Sequence, residues 1–91
     1  MSAISPYADD VVVYGRDWCE DTVATREQLA ALGIAYRYVN TELDPRGEEW
    51  VKQQNHGKVK TPTLDLRGRV LIVPSEQELE AAVREVGVGS Q

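Results

Sequence analysis

The sequence is poor in the residues that usually build extracellular or metal-held scaffolds. It contains one cysteine and one histidine in 91 residues. A single cysteine rules out an internal disulfide framework, and one cysteine with one histidine cannot make a structural zinc site. No apolar run approaches the length needed to span a bilayer, and the N-terminus shows no basic-then-apolar export pattern. A cytoplasmic, reducing location is therefore expected. Basic clusters are also scarce: the longest is Lys58-Val59-Lys60, and the formal charge is −5. That balance argues against a nucleic-acid surface. There are no internal repeats and no low-complexity segment. What remains is one soluble domain of ordinary hydrophobic content, 42%, expected to be monomeric.

The informative stretch is Tyr14-Gly15-Arg16-Asp17-Trp18-Cys19-Glu20-Asp21-Thr22. The short β-branched run before it, Val11 to Tyr14, reads as a buried strand. After it the chain turns helical from roughly Cys19 to Leu32, closed by Gly33. Val23, Leu29 and Ala30 are expected to face a sheet, with Arg26, Glu27 and Gln28 toward water. Cys19 thus lies between a strand and a helix N-terminus, where free N–H groups and the helix dipole favour a thiolate. A lone cysteine is usually a small buried hydrophobe. Here Asp17, Glu20 and Asp21 surround it, and charged residues seldom flank a core position. Cys19 is therefore expected to be accessible and chemically used, with Arg16 as a nearby positive charge.

The rest of the chain alternates. Ala35–Asn40 reads as a second strand, parallel to the first through a right-handed crossover. Asp44-Pro45 supplies N-cap and N1 of a second helix ending near Asn55-His56-Gly57. Trp50 and Val51 are expected on its sheet-facing side, Trp50 as core rather than as a ligand-stacking ring. His56 reads as a surface cap of the helix end rather than a catalyst. Thr63–Leu66 and Val70–Val73 make two further strands joined by an Arg67-Gly68 turn, hence antiparallel. Pro74 stops the last strand. Ser75 and Glu78 form a capping box, and Leu79, Ala82, Val83 and Val86 fall on one helix face until Gly87. The order βαβαββα implies an α/β fold, a mixed four-stranded sheet with helices on both faces. Residues 1–9 are expected as a flexible lead-in, 10–87 as the domain and 88–91 as a tail.

Trp18-Cys19 opening a helix, Asn55-x-Gly57, Thr61-Pro62-Thr63 before a strand, and Pro74-Ser75 opening the last helix resemble the glutaredoxin branch of the thioredoxin-like fold. The resemblance runs from Val11 to about Gly87 and is strongest to the mycoredoxin-like glutaredoxins of bacteria. It implies a thiol–disulfide oxidoreductase with Cys19 as nucleophile and a cis peptide bond before Pro62. It also implies that the Thr61 backbone pairs with the peptide-like part of the substrate, and that Arg16 meets a substrate carboxylate. Trp18 and Pro62 would line the substrate site. Ser75 replaces the second glycine of a glutathione-binding pair, and its N–H and hydroxyl are expected to hold a carboxylate. Taken singly, Thr61-Pro62 is an ordinary loop, Ser75 a good N-cap and Arg16 a solvated charge.

The chain departs from that family at the site itself. Cys-Pro-Tyr-Cys or Cys-Gly-Tyr-Cys is replaced by Cys19-Glu20-Asp21-Thr22. No resolving cysteine exists, so the implied mechanism is monothiol, with Thr22 close enough to hydrogen-bond the sulfur. The expected co-substrate is a small thiol (glutathione, mycothiol or similar), exchanged with disulfide-containing proteins. No tightly bound cofactor, metal, nucleic acid or membrane is expected. Two other readings stay open. One is a redox-inactive binding module of the same fold, favoured by the acidic pair. The other is an iron–sulfur carrier, disfavoured because Cys-Gly-Phe-Ser is absent.

Overall fold

The structure is a computed structural model that describes residues 5–88. Strand β1, Val11–Gly15, is buried along its whole length. It is central: β2 (Arg37–Asn40) pairs with it in parallel, and β3 (Thr63–Leu66) pairs with it antiparallel. Strand β4, Arg69–Ile72, continues antiparallel from β3, so the sheet order is β2-β1-β3-β4. The β3–β4 turn places both Arg67 (φ 51°) and Gly68 (φ 94°) in the left-handed region. That geometry matches the right-handed twist of a tight hairpin.

Alternation along β1 distributes the core over two faces. Val11 and Val13 join Leu29 and Ile34 of the first βα unit, Leu64 and Leu66 of β3, and Leu79, Ala82 and Val83. Helices α1 (Glu20–Ala31) and α3 (Glu76–Val86) therefore cover one face. Val12 and Tyr14 meet Val39, Trp50 and Val51, so α2 (Pro45–Gln54) covers the other. The Trp50 ring stacks on Tyr14 at 4.6 Å between centroids. Helix α2 starts as its sequence dictates: Asp44 accepts from the N–H groups of Arg46 and Gly47, with Pro45 at the first helical position. Its last turn is closed by the Asn55 side chain, which donates to the Val51 carbonyl at 2.9 Å, while His56 is exposed with φ 55°. The side-chain cap is thus Asn55 and not His56.

Other expectations need correction. In α1 the buried positions are Thr22, Thr25 and Leu29, while Val23 and Ala30 are exposed. The helix turns its threonine stripe to the sheet because Thr22 sits directly against Gly15, leaving no room for a larger side chain. Strand β2 starts at Arg37 rather than Ala35, and β4 ends at Ile72 because Val73 has φ 46° and leaves the strand. The segment expected as a loose lead-in is packed over residues 5–9. The Ser5 hydroxyl bonds the buried Tyr14 hydroxyl, the Tyr7 hydroxyl donates to Asp44, and Arg37 pairs with Asp9 at 2.6 Å. Residues 1–4 of the lead-in and 89–91 of the tail lie outside the described residues. No helix among the described residues is long and apolar enough to cross a membrane.

Trp50 is the α2 ring that stacks on Tyr14 of the central strand, at 3% exposure. Trp50→Ala is expected to lower unfolding free energy by about 3–5 kcal/mol in urea titrations. A loss under about 1 kcal/mol would show that the ring does not hold α2 to the sheet.

Candidate active site

The site forms where β1 ends. A Cβ at Gly15 would lie 2.5 Å from Thr22 Cγ2, so only glycine lets α1 begin this close to the strand. Cys19 is the N-cap of α1, in extended backbone (φ −84°, ψ 119°), and its own N–H donates to the Arg16 carbonyl at 3.1 Å. The sulfur is partly exposed. The Thr61 hydroxyl lies 3.4 Å from it and the Thr61 carbonyl oxygen 3.6 Å. As a thiol Cys19 can donate to that carbonyl; as a thiolate it can accept from that hydroxyl. The Thr61–Pro62 peptide bond is cis, and Pro62 is buried.

These surroundings set the ionisation of the thiol. Burial pushes the Cys19 pKa up, but the hydroxyls of Thr22 and Thr61 and the backbone N–H groups of Thr22 and Asp21 favour the anion. Together they prevail and hold it below the ordinary thiol value. No capping hydrogen bond of ordinary geometry closes from the sulfur onto the first turn; those N–H groups act as near dipoles of the helix N-terminus. Thr22 is fully buried, and its Oγ1 also accepts the Arg16 N–H at 3.4 Å. Glu20 and Asp21 are exposed in the first turn, where carboxylates complement the helix dipole.

The structure brings Cys19, Thr22, Thr61 and Pro62 together. Trp18 stands at the rim, 65% exposed, its indole N–H donating to Glu42 at 3.0 Å. The Arg16 guanidinium lies over the Trp18 ring, 5.5 Å from its centroid, and its Nε is buried without a hydrogen-bond partner. Asp17 is engaged by the Tyr38 hydroxyl at 2.7 Å.

Ser75 is reached through a strained link. Val73, a β-branched residue at φ 46°, donates its N–H to the Pro62 carbonyl at 2.8 Å. That bond ties the segment opening α3 to the Thr61–Pro62 loop. Ser75 is engaged in its own capping box. Its N–H donates to Glu78 Oε1 at 2.8 Å and its hydroxyl oxygen accepts the Glu78 N–H at 3.1 Å. Between α1 and this segment runs a groove of about 510 Å³, lined by Asp21, Thr25, Glu27, Gln28, Pro74, Ser75 and Glu76 among others. The Gln28 amide donates to the Glu76 carbonyl at 2.8 Å across it.

Sequence reasoning missed Gly15, Val73 and Gln28. Gly15 had a signal, since a glycine ending a buried strand often marks close backbone approach. Val73 had none, because valine is among the residues least expected at positive φ.

The glutaredoxin family model matches residues 11–71. The chain belongs to the glutaredoxin family. No sequence among the curated proteins matches it. Among solved structures, a mutant thioredoxin-like protein superposes with a TM-score of 0.72 at 18% identity, covering 89% of this chain and 99% of the other. The buckwheat glutaredoxin–glutathione complex gives 0.68 at 16% identity, covering 89% and 82%. Wheat glutaredoxin gives 0.63 at 14% identity, covering 86% and 73%. At these identities the likeness establishes a thioredoxin-like fold for this glutaredoxin, matching the mixed sheet and its three helices.

Thr22→Val keeps the side-chain shape and deletes the hydroxyl that favours the thiolate. The midpoint of the pH dependence of Cys19 alkylation is expected to move to higher pH, because removing a donor to the anion raises a thiol pKa. An unchanged profile would take Thr22 out of the control of the sulfur.

Proposed function

We propose that this glutaredoxin is a monothiol thiol–disulfide oxidoreductase of the mycoredoxin-like kind. It reduces mixed disulfides between proteins and a low-molecular-weight thiol, the class to which glutathione and mycothiol belong. The observation that carries the reading is the Cys19 sulfur, partly exposed at a helix N-cap with the Thr61 hydroxyl at 3.4 Å and its pKa held down. That is the arrangement a nucleophilic thiolate needs.

The steps balance without another cysteine. Cys19 thiolate attacks the small-thiol sulfur of the mixed disulfide; a new S–S bond forms as the old one breaks, and the protein thiolate leaves. A second small-thiol thiolate then attacks that sulfur, releasing the small-thiol disulfide and restoring Cys19. In sum the protein sulfur is reduced to a thiol and one free small thiol is oxidised, joining the half that the mixed disulfide already carried. In this reading Thr22 and Thr61 support the anion, and Thr61 with Pro62 flanks the incoming disulfide. Arg16 and Trp18 offer a cation and an exposed ring at the rim, and Ser75 opens α3 just after the Val73 link to the Pro62 carbonyl. No bound cofactor is required, only the small thiol as co-substrate.

Mass spectrometry after exposure to oxidised small thiols tests this. Wild type is expected to gain one small-thiol mass and to lose it on addition of the reduced thiol. Cys19→Ser should gain none and show no turnover, with stability changed by less than about 0.5 kcal/mol as for an ordinary surface substitution. A redox-inactive binding module would give no reversible adduct in the wild type, and turnover by the serine variant would remove Cys19 from the mechanism.

A further inference from the structure

The turn that presents Cys19 is held from the second strand. Residues 16–18 follow Gly15 at the end of β1, and the Cys19 N–H closes them onto the Arg16 carbonyl at 3.1 Å. The side chains of this turn take partners outside it. Asp17 accepts from the Tyr38 hydroxyl at 2.7 Å, and the Trp18 indole N–H donates to Glu42 at 3.0 Å. Tyr38 lies in β2 opposite Val13, so its ring is on the face that α1 covers, packed against that core. The Arg26 guanidinium of α1 lies 3.8 Å from the centroid of the Tyr38 ring, and its Nε donates to the Tyr36 hydroxyl at 3.1 Å. A cation over a ring is attracted by the ring quadrupole, so Tyr38 is braced between α1 and the turn. Burial, and after it the bond to Asp17, hold the Tyr38 hydroxyl far above the ordinary tyrosine pKa, so it stays a donor at every working pH.

The ionisable groups about the sulfur come from several elements. The turn brings Arg16 and Asp17, α1 brings Glu20 and Asp21, and β2 brings Tyr38. Glu42 follows β2, and Lys60 precedes Thr61 in the loop before β3. Glu20 and Asp21 sit in the first turn of α1, where the helix dipole offsets them. Asp17 stands outside the helix and lacks that offset. What engages it is Tyr38, with the Arg26 charge within electrostatic range. We propose that Tyr38 is a positioning residue for Cys19: braced on Arg26, its hydroxyl fixes the turn carrying Asp17 and keeps that carboxylate from opposing the thiolate. The inference rests on the thiol-exchange reading of Cys19 and adds to it a residue of β2 that acts on the sulfur through Asp17. Released, Asp17 is a like charge two residues from the sulfur, and a like charge disfavours the anion.

The test reads the pH dependence of alkylation by iodoacetamide, a neutral reagent that reports the thiolate. Tyr38→Phe keeps the ring on Arg26 and deletes the hydroxyl. Its midpoint is expected about half a pH unit above wild type, the scale of one like charge several ångströms away in solvent-exposed surroundings. Added salt should shrink the shift by screening. Asp17→Asn should titrate at or below the wild-type pH, and Tyr38→Phe made in the Asp17→Asn background should add no shift. Arg26→Gln leaves the Tyr38 hydroxyl in place and should shift the midpoint in the same direction as Tyr38→Phe. It carries the test if Tyr38→Phe does not fold.

Exchange with glutathione disulfide gives the second readout. Cys19 thiolate attacks one sulfur, the S–S bond breaks, one glutathione thiolate leaves and the other half stays on Cys19. Below the midpoint this rate should fall about twofold in Tyr38→Phe. A half-unit rise cuts the thiolate about threefold, and the more basic sulfur recovers part of the loss through higher nucleophilicity. Above both midpoints Tyr38→Phe should match wild type or exceed it by less than about twofold. Unchanged alkylation midpoints in both Tyr38→Phe and Arg26→Gln would overturn the inference while leaving thiol exchange intact. So would a Tyr38→Phe shift that persists in full in the Asp17→Asn background, which would assign it to altered packing and not to the carboxylate. The expected alkylation shifts with no exchange by the wild type would overturn the exchange reading alone.

Discussion

The contact on which the site depends is the approach of Thr22 to Gly15. A side chain at position 15 would meet Thr22 within 2.5 Å, so α1 begins immediately beyond the end of β1. From that follow the placement of Cys19 as N-cap, the Thr22 hydroxyl beside the sulfur, and the burial of Thr25 and Leu29 one and two turns later. Strand β1 can serve as this fixed point because all five of its residues are buried and it is paired on both sides. The loop carrying Thr61 reaches the sulfur because β3, which follows it, is hydrogen-bonded to β1 with Thr63 opposite Tyr14.

Much of this was legible in the sequence where a local rule and the global fold agree. The capping box at Ser75, the Asp44-Pro45 start of α2, the Arg67-Gly68 turn and the parallel–antiparallel mixture of strands all follow from short-range chemistry. Illegible features depended on tertiary contact. Helix α1 buries two threonines while Val23 is 41% exposed, an arrangement that no hydrophobic period reveals. Val73 adopts positive φ with its N–H held by the Pro62 carbonyl, a partner eleven residues back in the chain. Ser75 reads equally as a helix cap and as an anion holder; the capping box with Glu78 takes up its N–H.

The acidic first turn of α1 has the same double character. Glu20 and Asp21 are like charges near a thiolate, and from sequence they oppose it. They are also at the end of the helix where negative charge is favourable, and both are solvent-exposed. Exposed carboxylates are screened by water, whereas the donors from Thr22, Thr61 and the first-turn backbone act at contact range. Short-range hydrogen bonding therefore governs the sulfur, and the net direction of its pKa is downward.

The position after the acidic pair explains why a monothiol site remains self-consistent. Thr22 is fully buried, and a buried hydroxyl needs both its donor and its acceptor role satisfied. Its oxygen accepts the Arg16 N–H at 3.4 Å, and its hydroxyl favours the anionic form of Cys19. A neutral thiol is a weak acceptor and a thiolate a strong one. The hydroxyl is thus best satisfied when the sulfur is ionised, so the packing that seats α1 against Gly15 also favours the reactive form of Cys19. A residue at this place that serves the helix and the anion at once has no second sulfur to offer, which is why the exchange proposed for Cys19 is completed by a thiol from solution.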